Sequence, residues 1–194
     1  GLIKQKIGFV TNNYVMFIVA GFNGQIDKII ITPLLGFTLL GNYSLALQAI
    51  NVMMIVSTIS YKYLLPNDAT NTNNKNFKIT VIIISTIIAI IGILIGPHLI
   101  ENYFTEFIDA KIAIQIMSLS IIPGTISLLI QSEFLGNEKS KPILIGNSIS
   151  LITMVVSMIV LGINFGIVGL SVSLVIANLF KVLTFLFFKK TGDR

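Results

Sequence analysis

A short polar segment, residues 23–28, interrupts a long apolar stretch near the start of the chain, and its side chains allow chemistry inside a membrane. Asn23, Asp27 and Lys28 lie between two apolar runs, with no loop signal at either join. If residues 7–35 form one helix, it rises about 42 Å, which is enough to cross a bilayer at a tilt. Asp27 and Lys28 then lie within the membrane, where an ionisable side chain costs roughly 2.5 kcal/mol or more. Such residues usually face a water-filled pathway, where they can bind a charged substrate or an ion.

Polar side chains recur at helical spacing in later apolar stretches as well. Gln48 and Asn51 belong to one stripe in the second stretch, and Asn178 and Lys181 are neighbours on one face of the last. Several helices with one polar stripe each predict a bundle around a hydrated cavity. The predicted cavity-lining side chains are Asp27, Lys28, Asn23, Asn12, Gln48, Asn51, Lys181 and Asn178.

A purely structural interpretation of the same residues stays open. Asn and Gln side chains often do no more than hydrogen-bond packed helices to one another. Asp27 and Lys28 could neutralise each other within the membrane. Lys181 lies about two helical turns from the end of its span, so its amine could also reach the interface.

The composition explains why these polar residues stand out. Hydrophobic residues make up 54% of the 194 residues and charged residues only 11%, which is typical of an integral membrane protein. Six long apolar runs predict an all-α integral membrane protein with six transmembrane helices in a single lobe, residues 1–194. The predicted spans are residues 7–35, 42–64, 79–95, 108–135, 143–163 and 167–188.

Glycine and proline mark the predicted joins and bends. We expect the second span to stop at Pro66, before an exposed Asn-rich loop over residues 67–75, and the third to stop at Pro97. Pro123 predicts a kink within the fourth span. The predicted short turns are residues 36–41 and 162–166.

The basic residues predict the orientation of the chain in the membrane. With six spans, one side of the membrane receives Lys4, Lys6, Lys62, Lys75, Lys78, Lys139, Lys141, Lys189, Lys190 and Arg194. The opposite loops hold Lys111 beside three acidic residues. By the positive-inside rule, both termini and both long loops are cytoplasmic, and we expect a multi-pass protein of the plasma membrane.

The residue inventory argues against catalysis and metal chemistry. The chain has no cysteine and a single histidine, so neither a thiolate nucleophile nor a metal-ligand cluster is expected. No phosphate-binding glycine loop or nucleophile elbow is present. We therefore expect no enzyme activity, no cofactor and no nucleic acid partner. The partner that the composition predicts is the lipid bilayer.

A series of short motifs runs along the chain in a fixed order. They are Ile26-Asp27-Lys28-Ile29, Leu35-Gly36, Gly41-Asn42-Tyr43-Ser44-Leu45-Ala46, Pro66, Leu135-Gly136-Asn137-Glu138-Lys139, Asn147, and Gly162 with Phe165-Gly166-Ile167-Val168-Gly169-Leu170. Their order and spacing resemble those of the polysaccharide and lipid-linked oligosaccharide flippases, which belong with the MATE drug exporters in one superfamily. The resemblance covers nearly the whole chain.

The resemblance implies one half of a two-lobed transporter. Members of the superfamily have two six-helix lobes related by an axis along the membrane normal, and substrate binds between them. The six spans here resemble the second, C-terminal lobe. A missing N-terminal lobe, on the same longer chain or a second subunit, is therefore an expected partner. The first residue is Gly rather than Met, and we expect the chain to be the later half of a longer polypeptide.

The resemblance also implies a substrate. The chain would be half of a flippase that moves a polyprenyl-(pyro)phosphate-linked oligosaccharide from the cytoplasmic to the outer leaflet by alternating access, for surface polysaccharide or glycan biosynthesis. Asp27 and Lys28 occupy positions that resemble the charged pair of this lobe's first helix, and a coupling ion could bind at Asp27. The alternatives are half of a MATE-like small-molecule or cation antiporter and a non-transporting membrane subunit.

Overall fold

The chain folds into helices throughout the part that the structure describes. The computed structural model describes residues 26–70, 72 and 74–192, together with the isolated positions 11, 14 and 21. The elements are α1 (Ile26–Met53), α2 (Ile55–Ala69), α3 (Lys75–Tyr103), a 3-10 turn (Thr105–Phe107), α4 (Ala110–Ser118), α5 (Ile121–Gly136) and α6 (Ser140–Gly192). The predicted all-α class is confirmed over these residues.

Several of the helices are long and apolar enough to cross a membrane. Three pass this test: α1 from Lys28 to Met53, α3, and α6 as far as Thr191. α4 and α5, which meet at a bend of 44°, pass it together as a fourth. The described part of the chain therefore has the helices of a membrane-associated protein, as its composition predicts.

Helix α6 reverses direction at Gly166. The backbone of this residue (φ 56°, ψ −131°) is not helical, and its positive φ favours glycine. A Cβ added at Gly146 would lie 2.3 Å from the ring of Phe185, although a straight helix between these residues would rise about 58 Å. The first arm (residues 140–165) and the second arm (residues 167–192) of α6 therefore pack side by side.

Helix α1 is interrupted at Gly36 in a similar way. Its backbone there (φ 84°, ψ 171°) leaves the helical region, so the predicted turn is confined to one residue. Beyond it the chain continues almost without a break into α2. The Met54 N–H donates to the Ile50 carbonyl (2.9 Å), and the Thr58 N–H donates to the Met54 carbonyl (3.0 Å). The later part of α1 and α2 together thus form one long helix.

The helices run past the prolines at which the sequence pattern ends the spans. α2 continues beyond Pro66, and α3 continues beyond Pro97. A proline has no N–H, so the carbonyl of Ile93, four residues before Pro97, loses its partner within α3. The side-chain amide of Gln115 in α4 donates to this carbonyl (3.4 Å). A neighbouring helix thus replaces the missing bond, and α3 continues.

The bend between α4 and α5 has a proline as its cause. Leu119 and Ser120 separate the two helices, and Pro123 follows one turn later. Because Pro123 has no N–H to donate to the Leu119 carbonyl, the helical hydrogen bonds are interrupted before the proline. The predicted kink is therefore present, one turn earlier than the proline itself.

Small residues let α3 and α4 approach closely. A Cβ added at Gly92 would lie 2.5 Å from Ser118 Oγ, and one at Gly96 would lie 2.5 Å from Ile114 Cγ2. The two glycines have the G-x-x-x-G spacing that is common where membrane helices pack. Without a hydrophobic driving force between helices in lipid, such close van der Waals contact is what stabilises the pair.

The hairpin in α6 predicts a short distance between its two ends. Because the chain has no cysteine, the variant Lys141→Cys/Lys190→Cys can carry two spin labels at positions that are exposed. Packed helices lie about 8–10 Å apart, so the labels should be within about 30 Å of each other. An unbroken helix would separate them by about 73 Å. Double electron–electron resonance measures this distance.

The control pair is Lys141→Cys/Ile163→Cys, which stays on the first arm. This pair should give about 33 Å, the length of a straight helix between the two positions. A distance beyond about 50 Å for the Lys141 and Lys190 pair, with the control as expected, would contradict the hairpin.

Candidate functional site

The predicted site begins in a part of the chain that the structure describes only partly. Asn12 and Asn23 lie outside the described residues. The structure describes Asp27 by its helical backbone alone and not by its side chain. Lys28 is exposed near the start of α1, and its carbonyl accepts a hydrogen bond from Thr32 Oγ1 (2.8 Å). The role of the Asp27 and Lys28 pair therefore remains a prediction.

Gln48 and Asn51 lie on the outer face of the long helix made by α1 and α2. Both side chains are exposed, and neither makes a hydrogen bond within the described part of the chain. On a helical wheel they share an arc of about 80° with the exposed Thr58 and Lys62. This arc, which also contains the exposed Ile55, carries the polar side chains, and we call it the polar half of the exposed face.

The apolar half of the same face lies beside it. Its exposed side chains include Val52, Ile59 and Tyr63. Gln48 sits at the border, where it also lines an apolar groove of about 230 Å³ with Leu99 and Phe104 near the end of α3. One outer face thus presents polar groups along one edge and lipid-compatible groups along the other.

Polar side chains that serve helix packing are found elsewhere, in the interior. Ser57 of α2 shares hydrogen bonds with Ser85 of α3 (3.0 Å) and Thr125 of α5 (2.7 Å). All three hydroxyls are buried. Thr125 also donates to the carbonyl of Ile121 (2.8 Å). The hydroxyl cluster therefore joins three helices, whereas Gln48 and Asn51 have no such function inside the described bundle.

Asn178 and Lys181 lie on the second arm of α6 and are half-buried. The Asn178 amide donates to the Leu174 carbonyl of its own helix (3.2 Å). The Lys181 amine lies 5.8 Å from the centre of the Phe185 ring, within the range of a cation–π contact. These two residues therefore belong to the inner side of the arm, apart from the exposed face of α1 and α2.

The structure also assembles an ionic chain that the sequence pattern does not predict. Lys78 Nζ of α3 donates to both carboxylate oxygens of Asp68 (2.9 and 3.0 Å) and to Glu133 Oε1 (2.9 Å). Glu133 Oε2 of α5 accepts from Lys189 of α6, and Asp68 Oδ2 accepts from Ser132 Oγ (2.6 Å). Four helices are therefore joined at one end of the bundle, which we call the lysine-rich end.

The Asn-rich sequence over residues 67–75 predicts that Asp68 lies in an exposed polar loop. The structure corrects this: α2 continues to Ala69, and the Asp68 side chain is buried. The reason is the ion pair with Lys78, since a carboxylate can be buried when a cation and hydrogen bonds compensate for the lost water. The available signal was that Asp68, in the predicted loop 67–75, and Lys78 carry opposite charges on the same predicted side of the membrane.

Loss of the buried carboxylate charge should weaken the lysine-rich end. Asp68→Asn leaves Lys78 with Glu133 as its remaining anionic partner. We expect the free energy of unfolding to fall by about 2 kcal/mol, between the values for exposed and fully buried pairs. Denaturant unfolding followed by circular dichroism measures it.

The matched control is Asp109→Asn, which removes the charge of an exposed aspartate before α4. It should change the free energy of unfolding by less than about 0.5 kcal/mol. Asp68→Asn should also have a much smaller effect in a Lys78→Gln background, because the two side chains are coupled. Equal effects of Asp68→Asn and Asp109→Asn would contradict a stabilising ionic chain.

Comparison of the chain with protein-family models, with curated protein sequences and with solved structures finds no match.

Proposed function

We propose that the chain is one six-span lobe of a transporter that moves a polyprenyl-(pyro)phosphate-linked oligosaccharide across the membrane. The observation that carries the proposal is the polar half of the exposed face on α1 and α2. Gln48 and Asn51 lie in an apolar stretch long enough to cross a membrane, on the outside of the bundle. In lipid, a polar side chain without a partner is unfavourable. An aqueous pathway on this side of the lobe satisfies both residues.

The helix breaks support six spans. The second of these comprises the later part of α1 with α2, the third is α3, and the fourth is α4 with α5. The two arms of α6, on either side of Gly166, are the fifth and sixth spans. The first span ends at Gly36. The lysine-rich end then faces the cytoplasm by the positive-inside rule.

The charges and amides suit an anionic, sugar-bearing substrate. A lysine binds a phosphate group as a point charge, and Lys28 is the cation that we assign to this role. Amide side chains such as Gln48 and Asn51 both donate and accept hydrogen bonds, as sugar hydroxyls require. A glycan headgroup would thus move along the polar half of the exposed face, while its lipid tail stays in the bilayer.

The mechanism requires a second lobe opposite this face. Two lobes that rock against each other would expose the substrate first to one side of the membrane and then to the other. An ion or proton gradient would bias this motion, with Asp27 as the carboxylate that binds the coupling ion. The partner lobe is the N-terminal one implied by the family resemblance.

Water access along the polar half is the first test. In the cysteine-free chain, we expect Gln48→Cys and Asn51→Cys to react with a membrane-impermeant thiol reagent. Val52→Cys and Ile59→Cys, on the apolar half, are the matched controls. A thiol must ionise to react, and apolar surroundings oppose ionisation, so the controls should react at least about ten-fold more slowly. Labelling in membrane vesicles gives the rates; equal protection of all four positions would contradict an aqueous face.

Export of the glycan tests the substrate. Lys28→Ala in the full-length protein should abolish glycan export in cells that depend on it, because the phosphate loses its point-charge partner. Lys190→Ala, at an exposed lysine near the end of α6 and away from this face, is the control and should leave export intact. Unchanged export in the Lys28→Ala variant would contradict its role. Resistance to cationic drugs that depends on Asp27 would instead favour the antiporter alternative.

A further inference from the structure

A pocket at the lysine-rich end is not used by the proposed transport pathway. It has a volume of about 330 Å³ and lies between the end of α5, the start of α6 and the end of α6. Lys139 and Lys189 provide its cationic groups, and Asn137 and Thr191 provide neutral polar groups. Two elements that are far apart in sequence therefore place two lysines around one cavity.

The backbone at the end of α5 holds Lys139 beside this pocket. The N–H groups of Asn137, Glu138 and Lys139 donate to the last carbonyls of α5, and the bond from Lys139 to Phe134 is 2.7 Å long. Glu138 has a positive φ of 57°, which turns the chain sharply towards α6. The position of Lys139 is therefore set by the helix cap and not by a flexible loop. Its side chain is exposed.

The charge around the pocket is positive once its ion pairs are counted. Glu133 is the acidic group of the lining, and Lys78 and Lys189 each bind one of its carboxylate oxygens. A neighbouring pocket of about 510 Å³ shares Glu133 and Lys189 and adds Lys75. The carboxylates of Asp68 and Glu133 thus balance Lys78 and Lys189, and Lys139 supplies the net positive charge of the lining.

The rest of the lining is apolar and leads to the outer surface of the bundle. Pro142, Phe134 and Phe188 contribute to the pocket. Phe188 packs edge-on against Phe187, with ring centres 5.8 Å apart, and Phe187 is 67% exposed. A ligand in this pocket therefore meets lysines at one side and a continuous apolar surface at the other.

We propose that this pocket binds the phosphate group of an anionic phospholipid from the surrounding membrane. Lys139 and Lys189 bind the phosphate oxygens, and the acyl chains extend along Phe188 and Phe187 onto the apolar face. Basic pockets between membrane helices are suited to anionic headgroups. A soluble phosphate shares the charge but makes no use of the apolar wall, so the lining favours the lipid.

Native mass spectrometry of the purified full chain tests the proposal, with phosphatidylglycerol and phosphatidylcholine as probes. We expect tighter binding of phosphatidylglycerol. Lys139→Gln should weaken it about five-fold, the effect of one lysine near an anionic lipid. Phe188→Ala should also weaken binding of phosphatidylglycerol, while circular dichroism shows an unchanged helix content in both variants.

The matched control is Lys141→Gln, which removes the same charge from an exposed lysine two residues away that does not line the pocket. It should leave phosphatidylglycerol binding unchanged. Equal affinity for the two lipids, or equal losses in Lys139→Gln and Lys141→Gln, would overturn the proposal in favour of diffuse surface attraction. Competition by glycerol 3-phosphate at an affinity comparable to that of phosphatidylglycerol would overturn it in favour of a soluble phosphate. Because lipid binding is measured and not transport, each of these failures leaves the flippase proposal standing.

Discussion

In an apolar environment every polar group must find a partner in the protein or reach water, and this constraint accounts for most of the polar contacts described above. The carbonyl freed by Pro97 receives the amide of Gln115 from a neighbouring helix. The hydroxyl of Ser57 bonds to Ser85 and Thr125 in the interior. In each case the polar group joins two or more helices, so satisfying it also orders the bundle.

The ionic chain at the lysine-rich end obeys the same constraint for charges. Lys78 uses its three N–H groups on Asp68 and Glu133, as many bonds as an ammonium group can donate. Because the partners come from α2, α3, α5 and α6, each of these four helices has one end at the same level of the bundle. That common level is what creates the pocket lined by Lys139 and Lys189.

Gln48 and Asn51 are the contrast to these internal contacts. They lie exposed on the outer face of α1, and nothing within the described bundle satisfies their amides. The polar groups of the interior form hydrogen bonds between helices, whereas the Gln48 and Asn51 side chains form none with the described helices. Packing within the described bundle therefore does not explain this pair. A water-filled pathway or a second lobe on this side would satisfy them, and the function proposed here requires both.

The sequence by itself determined the all-α class and the membrane association, because long apolar runs with few charges have no other stable arrangement. It also located the bends near Gly36, Pro123 and Gly166. Glycine lacks a Cβ and proline lacks an N–H, and each of these changes the backbone close to the residue itself. It could not determine where the helices end. Pro97 predicts the end of a helix, but the helix continues because Gln115, from another helix, donates to the carbonyl that the proline leaves without a partner. The burial of Asp68 and the pocket beside Lys139 were likewise decided only by the tertiary structure, because each depends on side chains that other helices supply.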